Sequence, residues 1–379
     1  MAAAMCEHVY NSFWSERFWL GEEFKWRDLT SGDPDIYYPQ VSHLNWSIVV
    51  GVVLVLLRYL WDKFLIIPLG HSLGLTEVEN NTLAPCPILE SYYRSSGSTP
   101  KKHDLQGLAK RSDLTPRQIE RWLSRRRTQD QPSTMYRFKE CSWNVLFYTL
   151  SSTYGMYILW SKPDLLQAAN WAIDWPKHHV DNDHFTLYIV ELSFYWSMLL
   201  AMVWNKDFGN GNKELIVHHI VTMMLFYFSW SINIVRMGSL VVLVHDIADP
   251  FMNMAKMAKY VKWDRTADAM FVVFLVVFLV SRLFIFPFWN LYGVAFELHK
   301  YATLPPAYWF FSGLLCVLQI MNIWWSYLVL KLFFLNLTRA ESKGDPWEES
   351  DAEFSDSAEE ESSSTPSSKL PTEKCEVMT

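Results

Sequence analysis

Apolar and polar residues are segregated along this chain into long blocks. Runs of Leu, Val, Ile, Phe, Trp and Tyr, most of them near the length a bilayer-crossing helix needs, are separated by stretches that carry most of the charge. The pattern predicts spans at 44–68, 143–160, 185–204, 215–235, 237–254, 269–289 and 306–330. Backbone groups at bilayer depth must be paired internally, so the expected class is all-α, a polytopic membrane protein of about seven transmembrane helices. Arg58, Tyr59, Trp61, Asp62 and Lys63 form an interfacial belt near the end of the first block.

The polar stretches divide the chain further. Residues 1–43 mix Trp14, Phe18, Trp19 and Trp26 with acidic side chains, which suits a segment at a membrane surface, and they lack the basic, apolar and small-residue series of a cleaved leader. Residues 69–140, with Pro85, Pro87, Pro100, Pro116 and Pro132, are expected to form a soluble insert. Residues 141–335 form a membrane body of six spans. The Glu, Asp, Ser and Pro of 336–379 cannot bury enough apolar surface to fold, which predicts a disordered acidic tail.

Composition adjusts this picture in three places. The 379-residue chain has a mean hydropathy near zero, an average over two populations, and its net charge of −7 comes largely from the tail. The five cysteines lie far apart, with no CxxC pair, so neither a disulfide framework nor a zinc site is expected. Lys and Arg number twelve between the first two spans and four between the fifth and sixth, against two, one and one in the alternate loops. That bias places the N-terminus outside the cytosol and the C-terminus within it.

The candidate chemistry lies where an apolar run should carry none. His218, His219, His245, Asp246 and Asp249 fall within the fourth and fifth spans, and because an ionisable group at bilayer depth costs several kcal/mol, such a cluster reads as a functional site. Adjacent His218 and His219 point about 100° apart on a helix and cannot easily share a metal. His245 and Asp249 are four residues apart, and Asp246 and Asn253 extend one polar stripe on the fifth span. A neutral imidazole beside a carboxylate suits a general base or nucleophile, with Asp246 or Asp249 holding an imidazole. Glu191 and Tyr195, at i and i+4 on the third span, could join the cavity, and Arg282 in the sixth could pair with a carboxylate or reach for the membrane surface.

An ordered set of motifs resembles the signature of ceramide synthases: Lys206-Asp-Phe, Glu214-Leu-Ile-Val-His218-His219, Val244-His245-Asp246-Ile-Ala-Asp249 and Ala255-Lys256-Met257. Glu191-Leu-Ser-Phe-Tyr-Trp196 and the aromatic run from Phe13 to Leu20 extend the match to roughly residues 10–340. The resemblance implies an endoplasmic-reticulum membrane enzyme with a TLC-type domain. It would N-acylate sphinganine or sphingosine with a fatty acyl-CoA as co-substrate, with no bound cofactor and no metal. The implied catalytic residues are His218, His219, Asp246 and Asp249, with His245, Glu191, Tyr195, Asn253 and Arg282 in support. Lys206, Lys213, Lys256 and Lys259 would meet the polyanionic coenzyme A from the cytosol. Homo- or hetero-dimers with other ceramide synthases fit the same resemblance.

Residues 101–133 resemble the later part of a homeodomain, with Thr115 and Pro116 as N-cap and first-turn proline of a helix bearing Arg121 and Arg125–Arg127. Arg125 stands where the adenine-reading Asn would be, so DNA binding is not expected; lipid headgroups, coenzyme A or the catalytic half are the expected contacts. Ser350 and Ser357 each precede a Glu by three, the context an acidophilic kinase prefers. The competing readings are a non-enzymatic lipid sensor or carrier with the same membrane core, and a membrane-tethered transcription regulator.

Overall fold

Segregated apolar blocks become helices, and no strand occurs among the described residues. The computed structural model describes residues 14–30, 36–75, 86–97, 100–130, 132–205 and 213–339. Helix α1, Trp46–Trp61, runs on through a π-helical turn, Asp62–Ile66, into Ile67–Ser72. It therefore passes Pro68, whose missing N–H is harmless in the first turn of that last segment. The insert holds α2 (Pro87–Ser96), α3 (Lys102–Ser112) and α4 (Pro116–Asp130). The body holds α5 (Thr134–Ser161), α6 (Asn182–Asn205), α7 (Lys213–Ser231), α8 (Val235–Asp246), α9 (Asp249–Tyr260), α10 (Asp264–Leu279) and α11 (Pro306–Arg339). After α10 the helix widens into π-helical turns, Val280–Leu291 and Gly293–Glu297, around Pro287.

Among the described residues, the stretches Asp264–Lys300 and Pro306–Leu335 are long and apolar enough to cross a membrane, and Leu215–Ser231 is apolar but shorter. The other expected spans are helical too, though α5 and α6 are diluted by Ser, Thr, Tyr and Trp.

Helix α1 lies along α6, and Gly51 makes the close approach: a Cβ there would stand 3.1 Å from the Ser193 carbonyl oxygen. Helix α9 packs against α5 and α10, and α7 against α11. An aromatic cluster closes one end of the bundle, joining Trp19, Trp171, Trp175, Phe228, Phe286 and Tyr308. The Trp175 indole donates to the Ile232 carbonyl at 2.6 Å, and Trp19 packs on Phe228 with centroids 4.9 Å apart. The N-terminal aromatic segment is thus anchored in the bundle, with Trp19 and Leu20 buried.

Two expectations are corrected here. The fifth span is broken: α8 ends at Asp246, and a turn at Ile247–Ala248 separates it from α9. Pro250 is the cause, because its ring cannot donate a helical hydrogen bond and fits only the first turn of a new helix. His245 and Asp249 therefore do not share a continuous helical stripe. The insert, whose homeodomain-like part is 101–133, folds with an additional helix, α2, so that Ile88, Leu89, Leu108, Ile119 and Leu123 share one small core. As expected, Thr115 caps α4: its Oγ1 accepts from the Gln118 backbone N–H at 3.4 Å, and Gln118 Oε1 accepts in return from the Thr115 N–H at 2.8 Å. Arg126 forks onto Glu90 at 2.8 and 3.2 Å, tying α4 to α2. Cys86, at the head of α2, is disulfide-bonded, which the wide cysteine spacing did not indicate.

Candidate active site

A cavity of about 50 Å3 lies between α6, α7, α8 and α11. Its wall combines Tyr188, Glu191 and Tyr195 from α6, His218 and Thr222 from α7, and Gly238, His245 and Asp246 from α8, with Phe311 and Leu315 supplying an apolar side. One helical turn separates Glu191 from Tyr195, which puts both on the same face.

The adjacent histidines take different places, as helical geometry requires. His218 lines the cavity, its ring 5.1 Å from that of Trp325, and its Nδ1 is buried without a hydrogen-bond partner among the described residues. His219 does not line the cavity. It meets Tyr195 edge-on at 5.5 Å, and neither ring nitrogen has a described partner. The two ring centroids are 5.7 Å apart.

His245 is held from both sides. Nδ1 stands 2.7 Å from the Val241 carbonyl, which can only accept, so the ring proton sits there. Nε2 is left as the acceptor for the Asn322 side-chain amide at 3.1 Å. Both nitrogens are thus occupied, and Phe286 stands against the ring at 4.7 Å.

Among the described residues no carboxylate holds His218, His219 or His245, contrary to expectation. Asp246 accepts from the Ser151 hydroxyl at 2.6 Å, and the same hydroxyl contacts Glu191 Oε1. Asp249, beyond the helix break, pairs with Arg282 at 3.1 Å and does not line the cavity. Arg282 also donates to the His245 carbonyl at 2.6 Å and stacks over Phe278, so the sixth-span arginine is paired and buried. Asn253 donates to the Asp249 carbonyl at 2.9 Å. Its role is to brace the first turn of α9.

Of the basic residues, Lys259 is ion-paired with Asp264 at 2.9 Å, Lys256 is half-buried on α9, and Lys262 and Arg265 are exposed on the following turn. Lys206, the side chain of Lys213, Ser350 and Ser357 lie outside the described residues. Among the described residues no three His, Cys, Asp or Glu side chains converge as a metal ion would require. Ser151 and Asn322 were missed by sequence reading, because uncharged polar residues in apolar spans carry no spacing signal. That reading weighed only charges in the last span, where Asn322 is fully buried.

A bundle with this buried histidine and carboxyl cluster belongs to the TLC-domain class of membrane proteins: the TLC domain matches residues 137–331, from α5 into α11 and around the whole cavity. Ceramide synthase 3 of Homo sapiens is 37% identical over 84% of this chain and 83% of its own length. Ceramide synthase 5 of Homo sapiens is 35% identical over 95% of this chain and 91% of its own length. The Caenorhabditis elegans ceramide synthase hyl-2 is 24% identical over 85% of the chain. The chain belongs to the ceramide synthase family.

Proposed function

We propose that the cavity is the site at which an acyl group passes from a fatty acyl-CoA to the amine of a sphingoid base, with His218 as the group that reacts. The carrying observation is that His218 is the member of the histidine pair that lines the cavity, together with Glu191 and Asp246, and has a buried ring nitrogen without a partner among the described residues. A thioester is activated enough to need no ATP. His218 attacks the acyl carbon, the carbon–sulfur bond breaks, and the imidazole proton leaves with the coenzyme A thiol. The amine then attacks the acyl-imidazole, the carbon–nitrogen bond to the ring breaks, and one amine proton returns to the imidazole. The retained cluster of ionisable groups favours this over a lipid sensor or carrier.

The surrounding architecture is read in the same terms. Seven spans, a luminal N-terminus and a cytosolic C-terminus in the endoplasmic-reticulum membrane fit the loop charges. Lys256, Lys262 and Arg265 would then face coenzyme A on the cytosolic side. The exposed stripe Arg117, Arg121 and Arg125 on α4 suits anionic headgroups or coenzyme A better than DNA. Ser350 and Ser357 are read as phosphorylation sites, and dimers as the assembly. Incubating the purified protein with acyl-CoA and sphinganine tests the reading: dihydroceramide detected by mass supports it, and binding without product identifies a carrier.

A further inference from the structure

We infer that Ser151 bridges Glu191 and Asp246 into a single proton-holding pair that takes up the proton the substrate amine must lose. The geometry is specific. Ser151 Oγ lies 2.6 Å from Asp246 Oδ2 and is also bonded to Glu191 Oε1. A hydroxyl has one proton to donate, so it serves one carboxyl, and the other contact is a hydrogen bond only when that carboxyl brings a proton of its own. The bridge therefore holds one proton between two acids and leaves one place vacant. Both acids are buried, at 1% and 3% exposure, and Glu191 Oε2 is buried at the cavity without a partner among the described residues. That free oxygen is where an incoming proton arrives.

The reaction needs such a place. The amine enters as an ammonium and must give up a proton before its lone pair can attack. His218 is a poor acceptor, because on the reading above one ring nitrogen carries the acyl group at that moment, which draws electron density from the other. His245 cannot accept it, with both nitrogens engaged, and His219 does not line the cavity. The first proton passes to the Glu191 and Asp246 pair, the carbon–nitrogen bond forms as the bond to the imidazole breaks, and the second proton returns to the imidazole. The pair then releases its proton to solvent, so the turnover yields amide, free thiol and one proton from thioester and ammonium. The other titratable groups facing the pair are Tyr148, Tyr195, His218 and His245, and Asp249 with Arg282, whose guanidinium is committed to Asp249 and the His245 carbonyl. Ser151 is thus a positioning residue acting through the two acids.

The inference rests on the cavity being the acyl-transfer site, so His218→Ala is run beside the tests. The kcat against pH profile is measured for Ser151→Ala, Ser151→Thr and, as a control, Ser152→Ala, whose buried hydroxyl has no partner among the described residues. S151A should lower kcat about tenfold or more and shift the acid limb, S151T should restore both, and S152A should match wild type. S151A with wild-type kcat and limb, or S151A and S151T losing activity alike with an unshifted limb, overturns the inference while leaving the site reading intact. Full activity in H218A sinks the site reading instead. If S151A does not fold, Glu191→Gln decides: lost turnover with a flattened acid limb supports the pair, and an unaltered profile overturns it.

Discussion

Asn322 donates its side-chain amide to His245 Nε2 across 3.1 Å, joining α11 to the last turn of α8 beside the cavity. The contact fixes the His245 tautomer from a helix more than seventy residues away in sequence. Asn322→Ala leaves that buried nitrogen unpaired and should cost about 1–3 kcal/mol. Thermal unfolding of the detergent-solubilised protein reads the loss, which should appear together with lower turnover.

Arg282 and Asp249 form the charge pair that anchors the first turn of α9. Breaking a buried pair from one side leaves an uncompensated charge, so Arg282→Met and Asp249→Asn should each destabilise the fold by about 3–5 kcal/mol. The double variant should lose less than the sum. Additive losses in a double-mutant cycle would mean the two do not interact.

Gly238 lines the cavity against Tyr188, where an added Cβ would stand 1.7 Å from the phenol oxygen. Tyr188 is fully buried and cannot swing away. Gly238→Ala should abolish most amide synthesis. Removing the clashing oxygen with Tyr188→Phe in the same chain should recover part of it.

In the insert, the hydrogen bond from Arg126 holds the Glu90 carboxyl below its ordinary value of 4.5. A lowered folded pKa contributes stability that is present above the unfolded value and is lost as pH falls from 4.5 through the folded one. Pepsin cleavage of the full-length protein within 86–130 should therefore accelerate as pH drops through that window. Arg126→Gln should make cleavage fast already at the top of it.

The helices and the polar cluster were legible in the sequence because both are compositional signals: apolar blocks, and ionisable groups within them. Spacing was informative where the helix continued, as for Glu191 and Tyr195, and misled across Pro250, where the four-residue interval from His245 to Asp249 assumed a helix that the proline ends. Ser151 and Asn322 carry no charge and have no local pattern, so their partners, distant along the chain, emerge only from packing. The same holds for α2, whose apolar face finds Leu108, Ile119 and Leu123 only once the insert has folded.

Adjacent His218 and His219 differ in placement, since one lines the cavity and the other packs against Tyr195, and the proposed chemistry rests on that difference. Peptide mass spectrometry of the protein incubated with acyl-CoA alone tests this most directly. An acyl adduct on His218, absent in His218→Ala and retained in His219→Ala, is the predicted result; an adduct on His219, or full ceramide synthesis by His218→Ala, would contradict it.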